Sequence, residues 1–407
     1  MERSCDVIVV GGGIAGASLA TALAEAGLDV VVLEATERFV DRVRGESMMP
    51  WGVAEADRLG VGSVLRAAGG HIAPTWRRFG EGDDEARDIP VGLLVPGVAG
   101  NLNLHHPVAC QALLDAATAA GAEVRRSVSE VSIADRGSGA LVTFRREGRV
   151  ERVVGRLVVG ADGRSSAVRQ AIGIELEQVE ATAVIVGLLL EGLVGPDDHD
   201  IVAENDRGMS LLFHQGGGRA RAYHVVPVEQ RRRYAGRAGS ARFIEDLRDG
   251  PGHLAELVDR ATPAGPCAAF PNTQTRTASP ARGSVVLIGD AAGHTDPSIG
   301  CGLSVAMRDA RTVRDLVLAG ADSAEDLAPY AAQRLDLVRR LEVIADVIVS
   351  ASVVAGADRS ARRARLAEAM AAMHPEVFPI VVAMFAGPES APDDLIARGV
   401  PPLLRAA

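Results

Sequence analysis

The 407-residue chain contains no lysine; all 43 of its basic residues are arginine. This excludes a lysine Schiff base, a lysine general base and the lysine that grips phosphate in a P-loop. An arginine-only basic complement is what a GC-rich genome produces. Aromatic residues make up only 3% of the chain, too few for a platform that stacks single-stranded nucleic acid. The formal net charge of −10 argues against a nucleic-acid partner. Cysteine is scarce too: Cys5, Cys110, Cys267 and Cys301 are scattered, with no CxxC pair. That excludes a disulfide framework and a zinc knuckle, and a reducing cytoplasm is the expected location. The histidines show no HExxH or paired-ligand spacing, so no metal site is expected. No apolar run approaches the roughly 20 residues of a membrane span. The run Val184–Leu190 is short, and 343–354 is broken by Asp346. The chain passes almost at once into a strand-like run, so no leader peptide is expected. With 47% apolar and 24% charged residues, the composition is that of a globular protein.

What is present begins with a βαβ unit. Val7–Val10 is a short apolar run bounded by glycines, which reads as a buried strand. Ile14–Ala26 reads as a helix closed by Gly27. Asp29–Leu33 is a second strand, ending at Glu34. Helices are expected over 53–69, 107–121, 231–259, 303–318 and from 327 to about 373. Strand-like runs fill 123–159, 183–190, 209–214, 220–226 and 284–288. Segment 70–105, rich in Gly, Pro and charge, reads as an insertion with strands. The predicted fold class is α/β, with a Rossmann-like dinucleotide-binding domain interleaved with an antiparallel-sheet substrate domain. The first domain takes 1–70, 100–175 and 280–330, and the second 71–99 and 176–279. Residues 331–407 form a helical C-terminal segment. No repeat or low-complexity tract interrupts this order.

Gly11-Gly12-Gly13-Ile14-Ala15-Gly16 fits GxGxxG, and Glu34 closes the next strand about 20 residues on. The context gives the motif its meaning. Gly11 permits the tight turn, Gly13 lets the backbone approach a pyrophosphate, and Gly16 lets helix and strand pack closely. Ile14 and Ala15 open the helix, whose free N–H groups suit phosphate. Glu34 can accept hydrogen bonds from a ribose diol. Two further strand–turn motifs follow: Gly160-Ala161-Asp162-Gly163-Arg164, and Gly289-Asp290-Ala291-Ala292-Gly293. The latter continues as Asp296-Pro297-Ser298-Ile299-Gly300-Cys301-Gly302-Leu303.

In this order and spacing, the three motifs resemble those of the FAD-dependent monooxygenases of the para-hydroxybenzoate hydroxylase superfamily, over about residues 5–345. The resemblance implies that Gly11, Gly13, Gly16 and Glu34 hold the ADP half of FAD. It implies that Asp290, after Gly289, binds the ribityl hydroxyls. Pro297, Gly300, Gly302 and Leu303 would meet the flavin edge, with the helix N-terminus stabilising reduced flavin. Asp162 and Gly163 would serve FAD and the encounter with NAD(P)H, although Asp162 also suits a helix cap. Arg44 matches an arginine kept near the flavin. Met48, Met49, Trp51 and His294 are candidates for the substrate pocket.

The sequence also departs from that pattern. Gly293-His294 and Asp296-Pro297, with Arg44-Gly45-Glu46-Ser47-Met48-Met49-Pro50, look like flavin-dependent halogenases and geranylgeranyl reductases. Halogenases of that kind use a lysine and a Trp-x-Trp-x-Ile-Pro signature. Here there is no lysine, and Trp51 and Trp76 stand apart. His105-His106-Pro107 stands where relatives place Arg or Gln, and Gln111 is the substitute for that phosphate contact. The arginine runs 231–233 and 359–365 read as solvated helix faces. The expected activity is insertion of one oxygen atom from O2 into a small apolar or aromatic molecule in specialised metabolism, by hydroxylation or epoxidation. NAD(P)H would supply the electrons, directly or through a separate flavin reductase. The alternatives are reduction of a prenyl-like double bond and, behind it, a halogenase-like flavoenzyme.

Overall fold

The computed structural model describes residues 3–405 apart from 81–84, 206, 355 and 357. The N-terminal strand Arg3–Val10 lies at the centre of the first sheet. It pairs in parallel with Arg149–Gly160 on one side and Val30–Leu33 on the other. Val285–Leu287 and Glu123–Arg125 extend the parallel core outward. These strands are apolar on both faces because both faces are covered. Helices Ile14–Glu25, His106–Ala119 and Gly302–Leu318 pack on one face. A second cluster, with Phe144 from the strand Ala140–Arg146, fills the other.

The second sheet runs in the order Thr262–Pro263, Ala183–Glu191, Arg219–Pro227, Gly208–Gly216, His199–Asn205, Thr75–Phe79, Arg87–Ile89. Neighbours are antiparallel except where His199–Asn205 meets Thr75–Phe79, which run in parallel. The inserted segment thus completes a sheet whose other strands come more than a hundred residues later. Side chains alternate between faces along each strand. One set, including Val184, Val186, Leu188 and Leu212, packs against helices Gly239–Arg248 and Gly252–Val258. The other set turns towards the C-terminal helices Ala328–Ser352, Arg359–Ala371 and Phe378–Ala386. No helix among the described residues is long and apolar enough to cross a membrane.

Two helical expectations are corrected. Segment 231–259 is two short helices, separated before Pro251. The helix expected from 327 ends at Ser352, and another begins at Arg359. The arginines of 359–365 are not all solvated: Arg362 and Arg363 are buried. The carbonyls exposed where the first helix ends explain this. Arg362 donates to the oxygens of Ser350 and Val354, and Arg363 to that of Ser352. Buried guanidinium groups replace the missing next turn as donors.

A buried carboxyl sits where the strand Asn101–Asn103 packs against the second sheet. Asp200 accepts from Asn101 Nδ2 at 2.9 Å and Asn103 Nδ2 at 2.6 Å. Burial pushes its pKa up to about 7, against the opposing effect of those donors. A folded-state value above the unfolded one means that the fold prefers the neutral acid. Stability is therefore lost as pH rises from about 4 through about 7. Asp200→Asn should remove this slope. The amide oxygens of Asn101 and Asn103 are buried without partners, so one flip supplies an acceptor for the new N–H2. Thermal melts at about pH 5 and pH 8 should show the variant's advantage over the parent growing between the two, by on the order of 3 kcal/mol. An equal offset at both pH values would contradict the assignment.

Candidate FAD and substrate site

The three glycine turns converge at the carboxyl ends of the parallel strands. They form one end of a cavity of about 1170 Å³. Gly11 has φ +104°, and a Cβ there would stand 2.4 Å from the Ala161 oxygen. Gly16 is a packing glycine: a Cβ would stand 2.0 Å from the Gly11 oxygen, and the residue does not line the cavity. Gly13 differs from both. Its φ of −74° suits any residue, and beyond its two chain neighbours no atom of the described residues lies within 4 Å of a Cβ built on it. Gly302, at the start of another helix, is equally open. Both helices begin without a side-chain cap, leaving their first N–H groups to whatever fills the space. These openings fit a dinucleotide laid over the first helix with its ring system reaching the second. Ile14, Ala15, Gly163, Leu303 and Pro297 line the same space.

Glu34 is buried at the end of its strand and already organises the turn. Its carboxylate accepts from the Gly12 N–H at 2.7 Å and from the Thr36 N–H and hydroxyl at 2.8 and 2.7 Å. Asp162 caps the helix Ala167–Ala171, accepting from the Ala167 N–H at 2.7 Å and the Val168 N–H at 3.1 Å. It nonetheless lines the cavity. Asp290 pairs with Arg164 at 3.1 Å. Arg44 also lines the cavity, and its pKa is lowered by burial and by Arg164 nearby. Two guanidinium groups against one carboxylate favour an anionic guest.

The turn that carries Asp290 is held from behind. Gly289 adopts φ +57°. Its N–H donates to Asp309 at 2.8 Å, and its oxygen accepts from Arg334 at 3.1 Å. Arg334 also donates to the Gly293 oxygen at 2.8 Å and pairs with Asp309 at 2.9 Å, both fully inside. A second buried pair fixes the segment bearing Arg44. Glu46 binds Arg221 at 2.9 Å, and Arg221 reaches Asp41 at 2.7 Å. The Tyr223 hydroxyl donates to the Arg44 oxygen.

Of the pocket candidates, Met49 and His294 line the cavity; Met48 and Trp51 do not. Met48 belongs to the strand Ser47–Met48 and enters the core under the first sheet. Its neighbour Met49, one step along, points the other way. Trp51 is turned into the protein, donating its indole N–H to the Met384 oxygen at 3.1 Å. Gln111 also lies outside the cavity, bound to Asp115 and Arg126. His106 does line it, and burial lowers its pKa to about 4. His294 is likewise lowered to about 4 by burial and accepts or donates at Thr275 Oγ1, 2.8 Å away. Both rings are neutral at pH 7. Cys301 is wholly buried, and burial raises its thiol pKa, so it is a packed neutral group.

Beyond Pro297 and Gly300 the cavity continues as an apolar chamber. Its floor is the second sheet, with Ile185, Leu211, Phe213 and Trp76 facing in. Its roof comes from Ile348, Met370, Val381 and Phe385 of the C-terminal helices. Sequence reading missed this roof, Trp76, Arg164 and the pair Asp309–Arg334. Arg164 stood in a quoted motif; the others had no local signal.

The chain matches the family described as "FAD binding domain" over residues 4–345. It belongs to that family. The match embraces all three glycine turns and the two uncapped helices. Among relatives, 3-amino-4-hydroxybenzoate 2-monooxygenase of Streptomyces cremeus is 28% identical over 355 residues, 85% of this chain and 86% of the relative. "Squalene epoxidase 2, mitochondrial" of Arabidopsis thaliana is 24% identical over 322 residues, 78% of this chain. The chain spans only 54% of that relative's length. In fold, p-nitrophenol 4-monooxygenase of Pseudomonas putida superposes with a TM-score of 0.76 at 21% identity, covering 98% of this chain and 97% of the neighbour. A flavin-dependent brominase superposes with a TM-score of 0.74 at 18% identity, covering 95% and 94%. The family and the fold are therefore those of the para-hydroxybenzoate hydroxylase type.

Asp290→Ala should weaken FAD without unfolding the chain. A ribityl chain held by Asp290 would lose one or two charge-assisted hydrogen bonds, each roughly 1.5–3 kcal/mol, or at least about tenfold in affinity. Fluorescence titration of the apoprotein with FAD measures it; an unchanged affinity would remove Asp290 from the ribityl role.

Proposed function

We propose that this protein is an FAD-dependent monooxygenase that transfers one oxygen atom from O2 to a small apolar or aromatic molecule, with NAD(P)H as reductant. One observation carries the reading: the glycine cradle and the apolar chamber are a single continuous cavity. A guest on the second sheet would lie against the edge of a flavin held by Pro297, Gly300 and Gly302. Bound FAD would supply the redox chemistry and the activation of O2. The chain's own residues bind, orient and exclude water. Gly13 and the first helix would take the pyrophosphate, Glu34 the ribose, and Asp290 the ribityl hydroxyls. Arg44 and Arg164 would balance the negative charge. No side chain in the chamber is required as a nucleophile, and the neutral His106 and His294 add no cation there. The names of the relatives support both hydroxylation and epoxidation.

The test is NAD(P)H oxidation and O2 uptake by the yellow holoenzyme against a panel of polycyclic phenols and polyenes. Stimulated uptake, with one oxygen-18 atom from O2 in the product, is the expected result. Turnover that persists without O2 would instead assign a reductase. A brominated product that forms only with enzyme and bromide would assign a halogenase, and would mean that no lysine is needed for it.

A further inference from the structure

We propose that the end of the chamber farthest from the flavin-binding turns is a recognition site for an oxygen at the tip of an elongated, otherwise apolar substrate, and that Arg78 determines this specificity. The inference rests on the monooxygenase reading for the identity of the guest.

Four floor residues stand in one cross-strand row. Tyr223 is opposite Leu211, Leu211 opposite Val202, and Val202 opposite Arg78. All four line the cavity. Tyr223 marks the flavin end through its bond to the Arg44 oxygen. Three strand spacings separate it from Arg78, about 14 Å, which is roughly the length of three to four fused rings. Trp76, two residues before Arg78, lies edge-on to Phe385 at 5.2 Å, a wall suited to a flat molecule.

The row begins with a tyrosine already engaged at Arg44, crosses two apolar residues and reaches Arg78, opposite which Arg87 of the edge strand also lines the cavity. Arg78 binds Glu204 at 2.7 Å, with side-chain exposures of 15% and 2%. The second Glu204 oxygen accepts from Ser352 Oγ at 2.7 Å. A buried ion pair adds little to stability over apolar residues of similar size, so stability does not explain its place on a greasy wall. Arg78 gives one N–H to Glu204 and has no other side-chain partner among the described residues. A guanidinium has five donors. Arg78 lines the chamber, and its other donors bind no side chain among the described residues. A phenol oxygen can accept from Arg78 while its hydroxyl donates to Glu204, a pairing that no hydrocarbon can make.

The experiment titrates the holoenzyme with 2-hydroxyanthracene and anthracene, reading the flavin absorbance change without turnover. The parent protein should bind the phenol at least about tenfold tighter than the hydrocarbon. The double variant Arg78→Met/Glu204→Leu leaves no lone buried charge and should bind phenol and hydrocarbon equally. Arg78→Gln, which retains Glu204 and a short donor, should keep part of the preference; its flavin spectrum reports folding. The proposal is overturned if the parent shows no preference, if the double variant keeps it, or if no probe perturbs the flavin. The readout is binding alone, so a phenol preference without O2 uptake would sink the activity and leave the site standing. Uptake without preference would do the reverse.

Discussion

Gly13→Val should purify as a folded, colourless protein. The backbone there has φ −74°, and the polypeptide leaves open space around a built Cβ. A Cβ is therefore accepted by the protein, and the valine methyl groups would enter the space proposed for a pyrophosphate over the helix N-terminus. The expected result is a native far-ultraviolet spectrum and a cooperative melt, with FAD retention reduced by at least about a hundredfold in affinity, since several N–H contacts of about 1–3 kcal/mol are lost together. Gly11→Ala is the contrasting variant. Its Cβ would meet the Ala161 oxygen at 2.4 Å in a left-handed conformation, so it should lose folding as well as colour. Normal FAD content in Gly13→Val would show that the pyrophosphate lies elsewhere.

Arg334→Ala should destabilise the protein by about 3–5 kcal/mol, because it leaves the buried Asp309 without its counter-ion. It also removes donors from the oxygens of Gly289 and Gly293, so the Asp290 turn loses its support. Urea unfolding of the apoprotein measures the first effect, and FAD titration the second. Both should move, and saturating FAD should recover part of the melting temperature by mass action. Loss of stability with unchanged FAD affinity would reduce Arg334 to a structural residue.

The cofactor end was legible because a dinucleotide is held largely by backbone. Backbone access demands glycine at fixed steps, and Gly11, Gly13, Gly300 and Gly302 announce it locally. The chamber was not legible for the opposite reason. Its walls are side chains brought together by pairing between Thr75–Phe79 and His199–Asn205, more than a hundred residues apart. Met48 and Met49 are chemically equal in the sequence; only strand direction sends one to the core and the other to the cavity. Trp51 read as a pocket residue because it follows them, but the helix Pro50–Leu59 turns it towards Met384. Arg334 lies 45 residues beyond Gly289 and resembles any other arginine of a long helix.

The second sheet separates two jobs that most protein layers mix. Odd and even positions of the same strand belong to different clusters: Ile185 faces the chamber, while Val184 and Val186 face the buried helices. The same division holds for Val202 against Ile201 and Ala203, and for Leu211 against Leu212. One set can be rewritten by mutation while the other keeps the chain folded. Substrate preference can thus drift among descendants of this gene at little risk to the scaffold, and a directed-evolution library confined to the chamber-facing positions should retain a high fraction of folded, yellow members.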